Sequence, residues 1–361
     1  MQANKKRMTP RQAFLIDPGR KPTTREVAAA VRQARADGPT GRASGAALMG
    51  SVRRAGGAAY QEIVCRSALN RVDGMPFRWT LNPYRGCTHA CHYCFARRYQ
   101  SQLELGEGED FSSVVLVKTN FPEVLARELS GRRLGDQMVA LGTATDPYQP
   151  IEGHYRVTRR TLAALVGHPT PVGLVTKGTL VVRDADLLAE LSRRTRCTVT
   201  FSLPTVDEDA WRKLEPGTAH PRQRLRAVRR LRDAGVDAGV LMAPIVPGIS
   251  SHPAKIERTL EAIADSGANY VGSLLLHLEG GTRRHFLEFL AREYPQLVAG
   301  YGRLYAGKHA SASYATRFRT VMGVLQAKYG LQKERAGDRG RKPARAPGPD
   351  GGRPRQRRLR L

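Results

Sequence analysis

The sequence predicts an α/β fold: a full or partial β/α barrel made from a parallel sheet covered by helices, with a doubly wound sheet as the alternative. Short apolar runs rich in β-branched residues recur from about residue 78 onward, and amphipathic stretches with helical spacing separate them. Strands that are apolar on both faces and alternate with helices form parallel sheets covered on both sides. Six or seven such units over roughly 220 residues suit a barrel, whose functional residues follow the carboxyl ends of the strands.

Seven runs are the predicted strands, and each has the length of one buried strand, about five to ten residues. In chain order they are RWTLN (78–82), VVLVKT (114–119), MVALGT (138–143), VGLVTK (172–177), CTVTFSL (197–203), DAGVLMAPIV (237–246) and YVGSLLLHL (270–278). Their alternation with helical stretches predicts that the sheet is parallel.

Helix signals are clearest in four of the stretches between these strands. In residues 121–131, Pro122 falls in a first turn and Gly131 follows the last periodic residue, the usual places of these residues. Residues 183–194 begin with acidic residues and end with arginines, which suits the helix dipole. Two further stretches repeat apolar residues at helical spacing and end at a glycine: 221–235 and 252–267.

A last helix is predicted after residue 300, because an apolar face repeats along SASYATRFRTVMGVLQAKYGL (311–331). We expect this face to pack on the barrel; it consists of Tyr314, Phe318, Val321, Leu325 and Tyr329. The sequence thus predicts four regions. They are a basic, largely flexible N-terminal segment (1–57), a barrel core (58–300), a C-terminal helix packed on the barrel (301–331), and a basic tail (332–361) that is too rich in Pro, Gly and Arg to order.

The formal net charge of +27 is concentrated toward the two ends of the chain. Residues 1–60 hold 12 Lys and Arg against 3 acidic residues, and residues 332–361 hold 11 against 3. Basic arms of this kind bind nucleic-acid phosphates through counterion release without reading sequence. We therefore expect a nucleic-acid partner held by the basic tails; the alternative is that the tail only keeps the protein soluble.

The composition disfavours several classes of protein. No apolar run approaches the roughly 20 residues that a bilayer-spanning helix needs, and the start of the chain contains no apolar secretion signal. The chain has 5 cysteines, an odd number, and three of them lie close together, which argues against a disulfide framework. We expect a protein of the reducing cytoplasm with no membrane partner.

Three cysteines, Cys87, Cys91 and Cys94, are spaced as C-x3-C-x2-C in NPYRGCTHACHYCFARR (82–98). Three thiolates held this close suit either Zn²⁺ or an iron–sulfur cluster. A [4Fe–4S] cluster can take three cysteines and leave one iron open to a substrate or cosubstrate. Structural zinc needs a fourth protein ligand, for which the candidates are His89, His92, Cys65 and Cys197.

This loop resembles that of the radical S-adenosylmethionine (radical SAM) superfamily, because an aromatic residue, Tyr93, directly precedes the last cysteine and the loop follows the first barrel strand. The resemblance implies that Cys87, Cys91 and Cys94 bind a [4Fe–4S] cluster whose open iron takes the methionine part of S-adenosylmethionine. It also implies that one electron, delivered by a flavodoxin- or ferredoxin-type donor, cleaves the sulfonium to methionine and a 5′-deoxyadenosyl radical. That radical abstracts hydrogen from the substrate, while the protein positions the groups and excludes water.

A narrower resemblance covers roughly residues 58–330. The segments that carry it are PFRWTLNPYRGC, GTATDPYQPIE, LVTKGTLVVRDADLL, TFSLPT, KLEPGTAHPRQRL and APIVPGI. They are similar to the radical enzymes grouped around spore photoproduct lyase, and most similar to a branch of lyase-like proteins whose activity is poorly defined. The resemblance implies a partial (β/α)6-type barrel with an added N-terminal segment and C-terminal helix.

The resemblance also implies site residues at the ends of the strands. The segment GTATD (142–146) stands where these enzymes bind the amino group of S-adenosylmethionine. Its acceptors Thr143, Thr145 and Asp146 suit an ammonium; the alternative is that they cap the following helix. Lys177 resembles the lysine that faces the cosubstrate carboxylate, although a lysine exposed to solvent would read the same from the sequence.

Three further positions follow from the same resemblance. Ser202 resembles a serine that contacts the ribose or the methionine, with an ordinary strand hydroxyl as the alternative. The stretch from Ala243 to Val246 would lie along the adenine through backbone and apolar contacts. Tyr93 would stack nearby, or else belong to the core.

The roles of other residues near the predicted site are less closely defined by the resemblance. Gln149 and Glu152 are placed at the rim of the site, where they would contact substrate. Tyr84 and Arg85 would support the cluster loop or touch substrate. Gly86 would let the chain approach the cluster closely.

One departure from the family pattern bears on the reaction. Spore photoproduct lyase uses a cysteine in the stretch that corresponds to GTATD as its hydrogen donor, and this sequence has none there. The cysteines outside the cluster loop, Cys65 and Cys197, are predicted to be buried small apolar residues. Cleavage of a thymine dimer is therefore disfavoured, and the lack of a second cysteine cluster argues against sulfur insertion.

The leading hypothesis is a radical SAM enzyme that acts on a nucleic acid or nucleotide, as in DNA repair or modification. A modifier of a peptide or small molecule is the alternative within the enzyme class. A nucleic-acid-binding protein with a structural or redox-sensing cluster is the alternative from another class. The set of strand-end residues favours an enzyme, because a sensor needs no cosubstrate pocket.

Overall fold

The computed structural model describes residues 52–55, 57–103, 106–132 and 134–331. Most of the predicted N-terminal segment 1–57 and all of the predicted tail 332–361 lie outside the described residues. The strands are β1 (Val52–Ala55), β2 (Ala58–Ile63), β3 (Asn70–Arg71), β4 (Trp79–Leu81), β5 (Tyr84–Arg85), β6 (Val114–Lys118), β7 (Val139–Leu141), β8 (Val172–Thr176), β9 (Cys197–Ser202), β10 (Asp237–Ile245) and β11 (Val271–Leu275).

The larger of two sheets has the strand order β11-β10-β9-β8-β7-β4-β3. Strand β4 and strands β7 to β11 run parallel to one another, while β3 pairs antiparallel with β4 at one edge. The six parallel strands follow chain order across the sheet without reversing, as in a barrel, whereas a doubly wound sheet reverses at a switch point. No pairing joins β4 to β11 in the described part of the chain. The predicted partial (β/α)6 barrel is confirmed.

Residues 114–119, counted above among the barrel strands, do not belong to the barrel. They form β6, which lies in a second sheet of order β1-β2-β6-β5. Strand β6 pairs parallel with β2 and antiparallel with β5. Its residues Val115, Leu116 and Val117 are buried, as they would be in a barrel strand. An apolar run therefore predicts a buried strand without showing which sheet it joins.

Helices return the chain between the parallel strands. They are α1 (Asp110–Ser113), α2 (Phe121–Ser130), α3 (Glu152–Tyr155), α4 (Val157–Gly167), α5 (Ala185–Arg194), α6 (Glu208–Leu214), α7 (Pro221–Asp233), α8 (Pro253–Asp265), α9 (Gly280–Glu293), α10 (Val298–Leu304) and α11 (Ala312–Lys328). Four of them, α2, α5, α7 and α8, are the four helices with clear signals in the sequence. Among the described helices, none has both the length and the apolarity of a membrane span.

The C-terminal helix α11 packs beside α8. Phe318 and Met322 are buried, and Lys328 pairs with Glu257 of α8 at 2.5 Å. The other members of the expected apolar face are at least partly exposed, and three of them pack on the core: Val321, Leu325 and Tyr329.

The architecture brings the predicted site together at one end of the barrel. Apolar side chains of the strands, such as Leu141, Leu174 and Phe201, are fully buried. Because the six strands are parallel, the segments that follow their carboxyl ends share one face of the barrel. These segments include the cysteine loop after β4, GTATD after β7 and Lys177 after β8.

Candidate active site

One cavity of about 260 Å³ lies at the carboxyl ends of the barrel strands. Its lining comes from the loop after β4, from Phe111 of α1, from the segments after β7 and β8, and from the ends of β8, β9, β10 and β11 with the residues that follow β11. Ten of the residues that the sequence assigned to the cluster and to S-adenosylmethionine line this cavity: Cys87, Cys91, Tyr93, Cys94, Thr143, Thr145, Asp146, Lys177, Ser202 and Ala243. Of the rest of the stretch expected along the adenine, Pro244 lines the cavity, whereas Ile245 and Val246 are fully buried and do not.

The cluster loop begins with a backbone turn that requires glycine. Gly86 has a φ of +82°, and a Cβ at this position would lie 2.4 Å from the carbonyl oxygen of Val114. The next residue, Cys87, donates its backbone N–H to the carbonyl of Phe111 over 2.9 Å. These contacts hold the first cysteine against the start of β6, so the second sheet supports the cluster loop.

Gln149 ties the cluster loop to the segment after β7. Its buried side-chain nitrogen donates to the Gly86 carbonyl and to the Thr145 hydroxyl, each over 3.2 Å, and its oxygen accepts from the Thr88 N–H over 3.1 Å. The Thr145 hydroxyl donates to the same Gly86 carbonyl over 2.7 Å. Gln149 is fully buried and does not line the cavity, so the expectation that it contacts substrate is wrong.

Arg97 is a buried cation beside the cluster loop that the sequence argument did not single out. Its guanidinium is 2% exposed and donates to the carbonyls of Cys91 (3.0 Å) and Gly108 (2.6 Å). Burial lowers the pKa of Arg97, although the cysteines of the loop act in the opposite direction. Because a guanidinium offers five donors in a fixed fork, one side chain joins two chain segments and places a positive charge next to the thiols.

The three cysteines suit an iron–sulfur cluster. They are free thiols, two buried and one half-buried, that line the same cavity. Burial raises the pKa of Cys91 to about 12 and that of Cys87 well above its usual range, so these thiols are protonated when free and must lose their protons to bind a metal. In the described part of the chain, no three His, Cys, Asp or Glu side chains form a site for a single ion. A [4Fe–4S] cluster does not need such a site, because each cysteine binds its own iron.

The two histidines of the loop have partners of their own. The ring of His92 stacks on that of Phe289 with centroids 4.3 Å apart, and its Nδ1 lies 3.1 Å from Nε2 of His285. Burial lowers the pKa of His92 to about 4. His89 lines the cavity, where its Nδ1 lies 3.2 Å from Oδ2 of Asp146.

Asp146 organises the ends of β7 and β8. Its Oδ1 accepts from the Tyr148 N–H over 2.9 Å and from the Thr176 hydroxyl over 2.6 Å, and its Oδ2 accepts from the Lys177 N–H over 2.7 Å. Burial alone would raise the pKa of Asp146, but His89 and these donors outweigh it and lower the pKa to about 2. The carboxylate is therefore ionised, and it fixes the backbone from which Lys177 projects.

A network of buried charged side chains lies behind Lys177. The Lys177 ammonium lies 5.7 Å from the centre of the Tyr93 ring. The Tyr93 hydroxyl donates to Glu215, and Glu215 pairs with Arg224. Burial works to lower the pKa of Lys177, but the electrostatic interactions with Cys91, in its thiolate form, and with Glu215 outweigh it, so that pKa is raised. The network keeps Lys177 a cation at the cavity wall.

Ser202 and Ala243 fix the ends of β9 and β10 to each other. The Ser202 hydroxyl donates to the Ala243 carbonyl over 3.0 Å, and the Ser202 carbonyl accepts from Arg224 over 2.7 Å. The register of β10 against β11 shifts just here, between Met242 and Ile245. The Ser202 oxygen retains lone pairs that a ligand in the cavity can use.

Glu152 lies beneath the rim of the cavity and is fully buried. Its carboxylate accepts from the Tyr84 hydroxyl, from the Thr158 N–H over 2.9 Å and from Arg183 over 2.8 Å. Neither Glu152 nor Tyr84 lines the cavity. The expectation that Glu152 contacts substrate is wrong, and Tyr84 supports the segments around the site.

The two cysteines outside the cluster loop lie away from the cavity. Cys197 is 3% exposed, and burial raises its pKa to about 12. Cys65 is half-buried rather than buried, and its backbone N–H donates to Oδ1 of Asn120 over 2.8 Å. Neither thiol is placed to give hydrogen to a radical formed in the cavity.

The mouth of the cavity combines apolar and basic groups. Phe95 and Leu274 line it and are 47% and 59% exposed. A basic cluster surrounds Glu279, whose carboxylate lies within 3.1–3.6 Å of three partners: Arg98, His277 and Lys308.

The fold and the site define a radical enzyme, and the chain belongs to the radical SAM superfamily. The family profile described as Radical SAM superfamily matches residues 81–263. Enzymes of this family use a [4Fe–4S] cluster and S-adenosylmethionine. The family resemblance, the enzyme class and the two cofactors predicted from the sequence are thereby confirmed.

Two relatives and one solved structure are similar to this chain. An uncharacterized protein of Mycobacterium tuberculosis is 41% identical over 76% of this chain and 82% of its own length. The Radical SAM Nalpha-GlyT isomerase of Pseudomonas phage M6 is 27% identical over 52% of this chain and 37% of its own length. The structure of spore photoproduct lyase complexed with dinucleoside spore photoproduct is similar with a TM-score of 0.57, at 16% identity over 75% of this chain and 79% of that chain. The likeness shows that the two proteins share a fold.

Proposed function

We propose that the protein cleaves S-adenosylmethionine reductively in this cavity and uses the product to abstract hydrogen from a nucleic acid or nucleotide, in DNA repair or modification. The observation that carries the proposal is the convergence of three cysteines and seven other predicted site residues on one cavity of about 260 Å³. When bound, the cluster and S-adenosylmethionine together supply a 5′-deoxyadenosyl radical. The residues of the chain bind these groups, orient them and exclude water.

Each kind of side chain in the cavity suits one part of the cosubstrate. Cysteine thiolates hold the cluster, and the Lys177 ammonium suits the methionine carboxylate. Oxygen acceptors after β7 suit the amino group, and the Ser202 hydroxyl suits the ribose or the methionine. The backbone near Ala243 suits the adenine. The acceptors are Thr143, Thr145 and Asp146.

The cavity mouth supports a nucleic-acid substrate. Exposed aromatic and aliphatic side chains give bases a surface on which to stack, and Phe95 and Leu274 offer such a surface. The basic cluster around Glu279 lies beside it and suits phosphate. A base that left its stack would therefore meet an apolar surface inside a basic rim.

The names of similar proteins and the charge of the chain support the same substrate class. The spore photoproduct lyase structure contains a dinucleoside, and the phage relative is named for an Nalpha-GlyT substrate. The net charge of +27, concentrated at the basic ends, favours a polyanionic partner. A flavodoxin- or ferredoxin-type donor would supply the electron, and a reducing cytoplasm would keep the thiols free.

The experiment that tests the substrate class measures 5′-deoxyadenosine formed by anaerobically reconstituted protein with S-adenosylmethionine and dithionite. Single-stranded DNA, duplex DNA, RNA, nucleosides and mixed peptides are added in parallel. We expect a nucleic acid or nucleoside to stimulate turnover. Stimulation by peptides alone would overturn the proposed substrate class in favour of a peptide modifier.

Two variants sharpen this experiment. Phe95→Ala removes an exposed ring from the cavity mouth, and Val324→Ala removes an apolar side chain, 65% exposed, from α11. Stacking of a base on an aromatic ring contributes about 1–3 kcal/mol, so Phe95→Ala should raise the half-stimulating nucleic-acid concentration at least about fivefold. Val324→Ala should leave it unchanged. Equal behaviour of the two variants would contradict stacking at Phe95.

A further inference from the structure

A groove of about 460 Å³ runs along the outside of the barrel between α7 and α8. It shares no lining residue with the cavity. Arginines from both helices line it, and so do two carboxylates of α8. The arginines are Arg222, Arg226, Arg229 and Arg258, and the carboxylates are Glu261 and Asp265; all six residues are exposed.

Positive charge exceeds negative charge in the groove. Helices α7 and α8 run in the same direction, because each returns the chain to the start of the next parallel strand. Arg222 and Arg226 occupy the first two turns of α7, whereas Glu261 and Asp265 belong to the last turns of α8. The groove thus holds four guanidiniums against two carboxylates, an excess of two positive charges.

Two of the four arginines have partners within the protein. Arg229 donates to the backbone carbonyl of Asp265, and Arg258 lies 3.7 Å from Oδ2 of Asp207. Asp207 also lies 3.3 Å from the Lys255 ammonium, so its charge is shared. These contacts leave Arg222 and Arg226 as the guanidiniums of the groove with no hydrogen bond or ion pair to another described residue.

Arg222 and Arg226 also repel each other. They stand four residues apart on α7, where side chains are neighbours on the helix surface and like charges destabilise the helix. No carboxylate of the described residues forms an ion pair with either guanidinium, although Glu261 lines the same groove. An anion bound between the two guanidiniums would relieve the repulsion and accept the charge-assisted hydrogen bonds that they offer.

The groove begins close to the cavity wall. Val206, which lines the groove, follows the cavity residue Ser202 by four positions. Arg224, between the two free arginines in sequence, is buried on the inner side of α7 and donates to the Ser202 carbonyl over 2.7 Å. One helix thus holds the cavity wall with its inner side and presents arginines to the groove with its outer side.

We infer that this groove binds the phosphate backbone of the nucleic acid whose nucleotide enters the cavity, an inference that rests on the proposed function. From Arg222 to Arg229 the helix rises about 10 Å at 1.5 Å per residue, and over that length one strand of B-form DNA presents about three phosphates. Guanidiniums bind phosphates in a planar, bidentate manner. The groove reads no sequence, because its contacts are to phosphates.

The test measures binding of a fluorescein-labelled, mixed-sequence DNA duplex and single strand to the reconstituted full-length protein, by anisotropy at KCl concentrations around 0.1 M. In Arg222→Gln/Arg226→Gln, the slope of log K against log salt should shrink by about 1.8, and the affinity should fall by at least about tenfold, because each lost phosphate contact removes about 0.9 from the slope. Arg222→Lys/Arg226→Lys keeps both charges and should keep the wild-type slope.

The matched control is Arg66→Gln/Arg78→Gln, which removes the same charge from exposed positions near β4, at the opposite end of the sheet. It should bind as the wild type does. Wild-type binding by Arg222→Gln/Arg226→Gln would overturn the inference and would leave the groove to an acidic protein partner. Equal losses in this variant and the control would also overturn it, because net charge rather than the groove would then explain the effect.

The same variants separate this inference from the proposed function. Arg222 and Arg226 do not line the cavity, so their double substitution to Gln should leave 5′-deoxyadenosine formation without nucleic acid at the wild-type rate. Wild-type protein that binds DNA through the groove but forms no 5′-deoxyadenosine would refute the proposed function and keep the phosphate site. Wild-type protein that forms 5′-deoxyadenosine but whose DNA binding does not depend on Arg222 and Arg226 would refute the phosphate site alone.

Discussion

Replacing Gln149 with leucine should loosen the cluster loop without emptying the space beneath it. Gln149 is fully buried and makes three hydrogen bonds of 3.1–3.2 Å, to Gly86, Thr88 and Thr145. A buried hydrogen bond contributes about 1 kcal/mol net, and more where the abandoned partner stays buried, so the free energy of unfolding should fall by about 3 kcal/mol. Leucine fills a similar volume, so this loss reports the hydrogen bonds rather than a cavity.

Two assays check this prediction. Urea unfolding of the cluster-free protein measures the free energy of unfolding, and iron release to a chelator measures how firmly the loop holds the cluster. Gln149→Leu should lose iron faster than the wild type. Gln137→Ala is the control, because it removes one hydrogen bond, at the surface, to the Trp79 indole, and should cost less than about 1 kcal/mol. If the free energy of unfolding of Gln149→Leu lies within about 0.5 kcal/mol of the wild-type value and iron is released equally fast, Gln149 does not hold the cluster loop in place.

Three further predictions follow from the site and the tail. Lys177→Met should weaken S-adenosylmethionine binding, measured by calorimetry, about tenfold to a hundredfold, since a hydrogen bond to a charged group contributes about 1.5–3 kcal/mol. The control Lys213→Met should bind as the wild type does, and equal effects of the two variants would contradict the role of Lys177. The pKa of Asp146 lies at about 2, below its usual 3.8. The ionised carboxylate therefore stabilises the folded state above pH 3.8, and the free energy of unfolding should fall by about 2 kcal/mol as the pH falls from about 4 through 2. Asp146→Asn should flatten this acid dependence of the free energy of unfolding, and the control Asp209→Asn should not. An unchanged pH profile in Asp146→Asn, or equal flattening in the two variants, would contradict the role of Asp146. Removing residues 332–361, which hold 11 basic side chains, should reduce the salt dependence of DNA binding; an unchanged slope would leave the tail as a solubilising segment.

The family resemblance indicated the strand-end residues, and parallel β/α topology explains why they come together. Lys177, Ser202 and Ala243 are far apart in the chain, yet each lies at or near the carboxyl end of a barrel strand. Carboxyl ends of parallel strands share one face, so these side chains line one cavity. The C-x3-C-x2-C spacing of the three cysteines is local, so it can be recognised in the sequence without knowledge of the fold.

The directions in which side chains point could not be predicted in the same way. Arg97 and Arg98 are neighbours in sequence, yet Arg97 is 2% exposed and the Arg98 side chain is 45% exposed. Gln149 and Glu152 follow the cavity residue Asp146 within one short segment but are both fully buried away from the cavity. Long-range packing against the cluster loop and α4 sets these directions, and a single sequence does not display it.

The Glu215–Arg224 pair was missed for a related reason. Both residues lie in a segment that the family resemblance included, but no spacing rule connects them with Tyr93 or Lys177. Their pairing depends on how α7 packs behind β9, where Arg224 also reaches the Ser202 carbonyl. A buried arginine in a helix with many exposed ones gives no separate signal in the sequence.

The measurement that tests the central claim most directly compares wild type, Cys91→Ala and Cys197→Ala after anaerobic reconstitution with iron and sulfide. Iron content, the electron paramagnetic resonance spectrum of the reduced cluster, and 5′-deoxyadenosine formed from S-adenosylmethionine are measured on each protein. Wild type and Cys197→Ala should hold the cluster and form 5′-deoxyadenosine, and Cys91→Ala should do neither. If Cys91→Ala holds as much iron as the wild type and neither protein forms 5′-deoxyadenosine, the assignment of this cavity as a radical SAM site is contradicted.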